Sequence, residues 1–210
     1  MTNRVFKHYH RNKPILDFIT LNYKILCVIM LEAHKLYPKT FYPKAIEEYF
    51  AGRADYCKKS NDYEKNDILS YKLEQACESL EIDHEMCAAI ARKMSAADGK
   101  VYNLDLIKVL AHNIELVFIQ LNYDYGLGKE RRDRLVKELL SDNAITGEPI
   151  ERIEKLGVKV DKDDLSQIDY RKLKIKPDKI TLEDQRAAAQ SLAWLRAYQE
   201  SIHNGGTGNG

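Results

Sequence analysis

The chain lacks most of the features that would announce a chemistry. Its four cysteines, Cys27, Cys57, Cys77 and Cys87, show no CxxC spacing, so they read as buried core thiols and not as a zinc ribbon or a redox dithiol. His84 lies three residues before Cys87, which puts both on one helix face, but no second ligand pair accompanies them, and neither a metal nor another cofactor is expected. A net charge of only +1 removes any whole-chain attraction to nucleic acid or anionic lipid and leaves that role to local patches. No apolar run reaches the roughly 20 residues of a membrane span. The nearest, Ile15 to Leu36, is interrupted by Asp17, Asn22, Lys24, Glu32 and His34. No charged head with an apolar stretch and a small-residue cleavage site stands at the N-terminus, which predicts a cytoplasmic protein without a membrane partner. A phosphate loop and a catalytic constellation are missing too, so the chain is expected not to be an enzyme.

What is present is an ordinary globular composition, 31% charged and 44% apolar over 210 residues, enough for one good core or two small ones. The apolar positions recur at helical spacing almost throughout. Residues 1–13 are basic and polar and read as a loose arm before Pro14, which suits a first helical turn. Ile15, Phe18, Ile19, Ile25, Leu26, Ile29, Met30 and Ala33 then predict a long helix that Pro38 stops. A second is predicted over 44–58 after Pro43, a third over 68–80 and a fourth behind the cap Asp83. The fifth has the clearest stripe, from Ile107 through Leu110, Ile114, Val117 and Phe118 to Leu121, and is expected to form the centre of the core. Gly126 and Gly128 break it before a sixth helix over 129–140, and the two read as a helical hairpin or a bent helix.

Beyond Ser141 the composition shifts. Residues 141–180 read as a connector with a short helix over 150–156 and weak alternation that allows a hairpin. Thr181 and Asp184 resemble a capping box for a C-terminal helix over 181–203, followed by a glycine-rich tail over 204–210. The expected fold is therefore all-α: a bundle of about six or seven helices over 14–140, a less regular extension and a final docking helix. Shifting the chain by 90 residues lays Leu26, Ile29 and Ile46 on Leu116, Ile119 and Val136. That match fits an internal duplication, but two unrelated amphipathic helix pairs match this well by chance, and that reading is preferred.

The densest charge lies at the glycine-bracketed elbow, where Lys129, Arg131, Arg132, Arg134 and Lys137 fall within nine residues. At a helix N-terminus these side chains and the glycine amides are placed to meet phosphates. A solvated helix face, with Glu130, Asp133 and Glu138 diluting the charge, accounts for the same residues. The stretch from Leu121 to Leu135 resembles an aromatic-Gly-aromatic-Gly-Lys-Lys-Arg-Leu turn found in small helical proteins encoded by bacteriophages and prophages, a group without an established activity. Leu127 and Glu130 depart from that pattern. The resemblance implies a mobile-element origin.

Two other patterns carry less. Met94 to Asp105 imitates the frame of a calcium loop, but Met94 and Ala96 offer no side-chain oxygen at the first and third ligand positions. Arg196 and His203 have the Arg-x6-His spacing of HEPN ribonucleases, yet Ala197 stands where that motif has a polar residue. The leading expectation is thus a non-catalytic phage or mobile-element protein that contacts DNA or RNA phosphates through Lys129, Arg131, Arg132, Arg134 and Lys137. The competing one is a protein-interaction module, an inhibitor, anti-defence protein or homodimeric scaffold. It would use the tyrosine-rich turn and the face formed by Trp194, Leu195 and Tyr198. A HEPN-like ribonuclease ranks last.

Overall fold

A computed structural model of the protein describes residues 2–59, 75–99, 102–144, 147–159 and 186, with the backbone alone for 2–16, 19 and 53–59. These residues are 78% helical, with seven helices and no strand among them. The elements are α1 (Thr2–Leu36) and α2 (Pro43–Lys59), a short stretch over 75–80 (α3), then α4 (His84–Ala97), α5 (Leu104–Tyr125), α6 (Lys129–Leu140) and α7 (Pro149–Lys155). Of the expected C-terminal helix only Arg186, which is helical, is described; Trp194, Leu195, Arg196, Tyr198 and His203 lie outside the described residues, as do Leu69 and Leu73 and the hairpin segment beyond Lys159.

Local signals place most boundaries. Asp83 caps α4 by accepting from the Glu85 N–H at 3.0 Å, and Asn103 caps α5 by accepting from the Leu106 N–H at 3.0 Å. Each cap satisfies an amide that the first helical turn leaves without a partner. Gly126 ends α5 in the left-handed region at φ 62°, and the Leu127 N–H reaches back to the Leu121 carbonyl at 3.0 Å, the wrapped bond of a glycine C-terminus. Pro149 opens α7 at its first turn, where it costs no hydrogen bond.

The first helix departs from the sequence expectation. Residues 2–13, which read as an arm, are helical, and α1 runs through Pro14 without a break. A proline forfeits one backbone bond and crowds one carbonyl, a local penalty of about 3 kcal/mol, and the Arg11 and Lys13 that precede it, with Leu16 after it, favour helix.

The centre of the core is shared more widely than expected, with α1 as deeply buried as α5. From Ile25 to Ala33 every residue of α1 is buried, Glu32 included, and α1 touches α4, α5, α6 and α7. A helix buried all round is a central one. The α5 stripe is buried as predicted, from Ile107 to Leu121, and its main neighbour is α4. The sixth helix does not fold back on α5 as a hairpin; its principal neighbours among the described helices are α1 and α4. Lys35 ties α1 to α6, with Nζ 3.3 Å from Glu32 and 3.2 Å from Glu138. At the far end of α6, Lys93 donates to the Leu139 carbonyl at 2.9 Å and to that of Ser141, satisfying helix-end acceptors.

Candidate functional site

Between α5 and α6 stand the three residues of the elbow, Gly126, Leu127 and Gly128. Leu127 is wholly buried, and Asn122 Nδ2 donates to its carbonyl at 3.1 Å. Gly128 is extended and starts α6 without a side-chain cap. The bend is therefore a filled corner with its middle residue in the core.

The five cations that follow do not converge. Arg131 lies with Cζ 4.3 Å from the centre of the Tyr37 ring and donates to the Gly126 carbonyl at 3.2 Å and Thr40 Oγ1 at 3.0 Å. Tyr37 in turn donates its hydroxyl to the Arg131 carbonyl at 3.0 Å. The tyrosine-rich turn between α1 and α2 is thereby docked on the elbow by a stacked, hydrogen-bonded arginine. Around it Phe41, Tyr49 and Tyr125 pack ring on ring, with Phe41 and Tyr125 centroids 5.4 Å apart.

Arg132 goes further inward and is 1% exposed. Its Nη2 donates to the Glu81 carbonyl at 3.1 Å, whereas Nε and Nη1 are buried without a hydrogen-bond partner among the described residues. Lys129 forms an ion pair with Glu81, and that contact holds the Glu81 carboxyl below the usual carboxylate range. Arg134 and Lys137 are exposed, three residues apart and so on one face of α6. The sequence set thus divides into two side chains used internally, one ion-paired at the rim and two turned to solvent.

A second cluster joins α4 to α5. His84 is the first residue of α4, and His112 and Glu115 stand one turn apart on α5. Glu115 is 4% exposed. Its two oxygens are divided between the rings: His84 Nδ1 lies 2.5 Å from Oε1 and His112 Nδ1 lies 2.7 Å from Oε2. The ring centroids are 5.2 Å apart, and one donor atom from each residue lies within 4.8 Å of the others. Burial pushes the Glu115 carboxyl up, but hydrogen bonds and charge from His112 and His84 outweigh it and hold the group below its ordinary range. Both imidazoles remain half-exposed or exposed, so the cluster has a buried floor and an open mouth.

Sequence reasoning paired His84 with Cys87 and left Glu115 and His112 out. The thiol of Cys87 is buried, and burial followed by the nearby Glu115 charge raises it well above the ordinary thiol value. Cys27 is pushed up to about 12, again chiefly by burial. These are inert core thiols. The signal that could have found the cluster is His112-x-x-Glu115, two ligand-type residues at helical i,i+3 spacing.

The calcium-like frame dissolves in the structure: Asp98 pairs with Lys24 of α1 and Gly99 takes a positive φ of 70°, a glycine turn before a capped helix. No helix among the described residues is long and apolar enough to cross a membrane. No protein-family model matches the chain, and neither the curated proteins nor the solved structures contain a match to it.

Proposed function

We propose that this chain is a non-catalytic nucleic-acid-binding protein of the phage or mobile-element kind that its elbow resembles, and that it meets phosphates with the outer face of α6. The observation behind this reading is that Arg134 and Lys137 are exposed on one helical face with no ion pair among the described residues, while Lys129 stands at the same helix's first turn. Arg131 and Arg132 serve the fold in this reading, as the stacked and buried members of the set. The contact is electrostatic and backbone-directed, with little base readout. Fluorescence anisotropy with labelled single-stranded and duplex oligonucleotides across a salt series tests it. Arg134→Glu with Lys137→Glu is expected to abolish binding, and neutralising both is expected to lower the salt slope by about 2. Binding that ignores salt, or that survives the double reversal, overturns the reading.

A protein partner is the second reading, and a specific observation favours it. Tyr123 and Tyr42 are the large hydrophobic side chains most open to solvent among the described residues, 67% and 47% exposed. Tyrosine is a common anchor of protein interfaces. Tyr123→Ala should then weaken association, with a second copy of the chain or with another protein, and leave oligonucleotide binding unchanged. Light scattering of the wild type against this variant reads the homodimer directly.

A further inference from the structure

We propose that His84, His112 and Glu115 form a binding site for one first-row divalent transition ion, of which Zn2+ is the representative. The site is independent of the nucleic-acid reading.

The floor of the cluster is a carboxylate only 4% exposed, and its charge requires compensation, because burial without a partner is costly. Here the compensation comes from two imidazoles on different helices, each with Nδ1 directed at a different carboxylate oxygen. Two imidazole nitrogens and one carboxylate oxygen are the ligand set of catalytic zinc sites and of facial-triad iron sites. All three donors lie within 4.8 Å of one another. A tetrahedral shell with bonds of about 2.0–2.2 Å has neighbouring donors roughly 3.3 Å apart. The nitrogen to oxygen distances of 2.5 and 2.7 Å, which run to different carboxylate oxygens, need to open by about 0.6–0.8 Å to admit an ion, and donors standing as far as 4.8 Å apart need to close by up to about 1.5 Å.

The mobility for that opening is on the right side. Glu115 is fixed in the α5 core stripe, whereas the side chains of His84 and His112 are 41% and 54% exposed. On binding, the ion replaces the proton that each Nδ1 shares with the carboxylate. For every metal–nitrogen bond formed, that proton leaves to solvent from an imidazolium, or passes to Nε2 of a neutral ring, so that each imidazole binds in its neutral form. The open mouth leaves the fourth position to water. Nitrogen ligands and a single carboxylate disfavour Mg2+ and Ca2+, which take oxygen shells. Cys87 lies three residues from His84 but stays a buried thiol and is not a ligand.

Isothermal titration of the full chain, stripped with chelator and then supplied with ZnCl2, tests the site, with Co2+ absorption as a second readout. One ion per chain is expected, unaffected by excess Mg2+. His112→Ala, checked for its fold by circular dichroism because it removes one partner of the buried Glu115, should weaken binding by ~100-fold or more, beyond what is lost with a residue that only orients a ligand. Glu115→Gln, checked for its fold by circular dichroism, should do the same. His8→Ala with His10→Ala should leave the stoichiometry unchanged. No saturable Zn2+ binding, or undiminished binding in His84→Ala with His112→Ala, overturns the proposal. An intense thiolate-to-cobalt band overturns the ligand set, because it would place Cys87 or Cys77 on the ion.

Discussion

Arg132 shows how far a single residue can stand from its reading in sequence. It belongs to a cationic run, yet it also sits in the apolar register of its own helix, three, four and seven positions before Leu135, Val136 and Leu139. The core therefore swallowed it. With Nε and Nη1 unpaired among the described residues, the guanidinium contributes volume more than charge. Arg132→Met should be neutral or stabilise the fold by about 1–4 kcal/mol, whereas Arg132→Ala, which leaves a cavity, should be less stable than Arg132→Met by about 3 kcal/mol. Urea denaturation of both variants checks the pair. Tyr102 is a second case, its hydroxyl buried without a partner among the described residues and its ring edge-on to Phe18. Burial, followed by the charge of Asp98, pushes it up to about 12, and burial with nearby acids takes Tyr125 to about 12 as well. Because the folded pKa exceeds the unfolded value of 10.0, the stabilising contribution is complete below pH 10 and disappears as pH rises towards 12. Ultraviolet titration should show these two tyrosines ionising late and together with unfolding, and Tyr102→Phe should cost nothing in stability.

Among the elements, α5, the elbow and α6 follow one another under opposite backbone demands. Gly126 has φ 62° and open space where a Cβ would stand, with no atom within 4 Å beyond its own chain neighbours, and Gly128 is extended with the same room around it. Gly126→Ala should therefore cost about 1–2 kcal/mol from its left-handed conformation alone. Gly128→Ser should instead stabilise by about 0.3 kcal/mol, since it supplies the cap that α6 lacks. Thermal melts of the two variants should shift in opposite directions. The boundaries of α4, α5 and α6 were legible because their signals are local: Asp83 and Asn103 cap, Gly126 stops, and the apolar stripe fills the interval. The start of α1 was not legible, because Pro14 carries the same local signal whether a helix begins there or passes through. Nor was the docking of α6 on α1 and α4, since amphipathicity says that a face is buried and not against what. The His84, His112 and Glu115 cluster was half legible. The α5 pair has helical spacing, but the third member arrives only through the packing of α4.

At the scale of the whole molecule, the described helices are organised around α1. Its segment from Ile25 to Ala33 is buried among the later helices, so its amides can exchange only when the bundle opens. Hydrogen exchange should accordingly be slowest over 25–33 and along the buried part of α5, and fastest at α7 and the exposed turns. A uniform exchange rate along α1 would contradict this arrangement. The corner between α5 and α6 constrains the assembly in another way. Its middle residue is a core residue, so the corner acts as a key that fixes the rotational setting of α6. One residue inserted there would turn α6 by about 100° about its axis. That turn would carry Arg132 and Leu135 off the core side and bring acidic and cationic neighbours inward. Length changes between residues 125 and 129 should thus be tolerated far less than the open space around their glycines suggests, and the solvent face that carries Arg134 and Lys137 is set by Leu127.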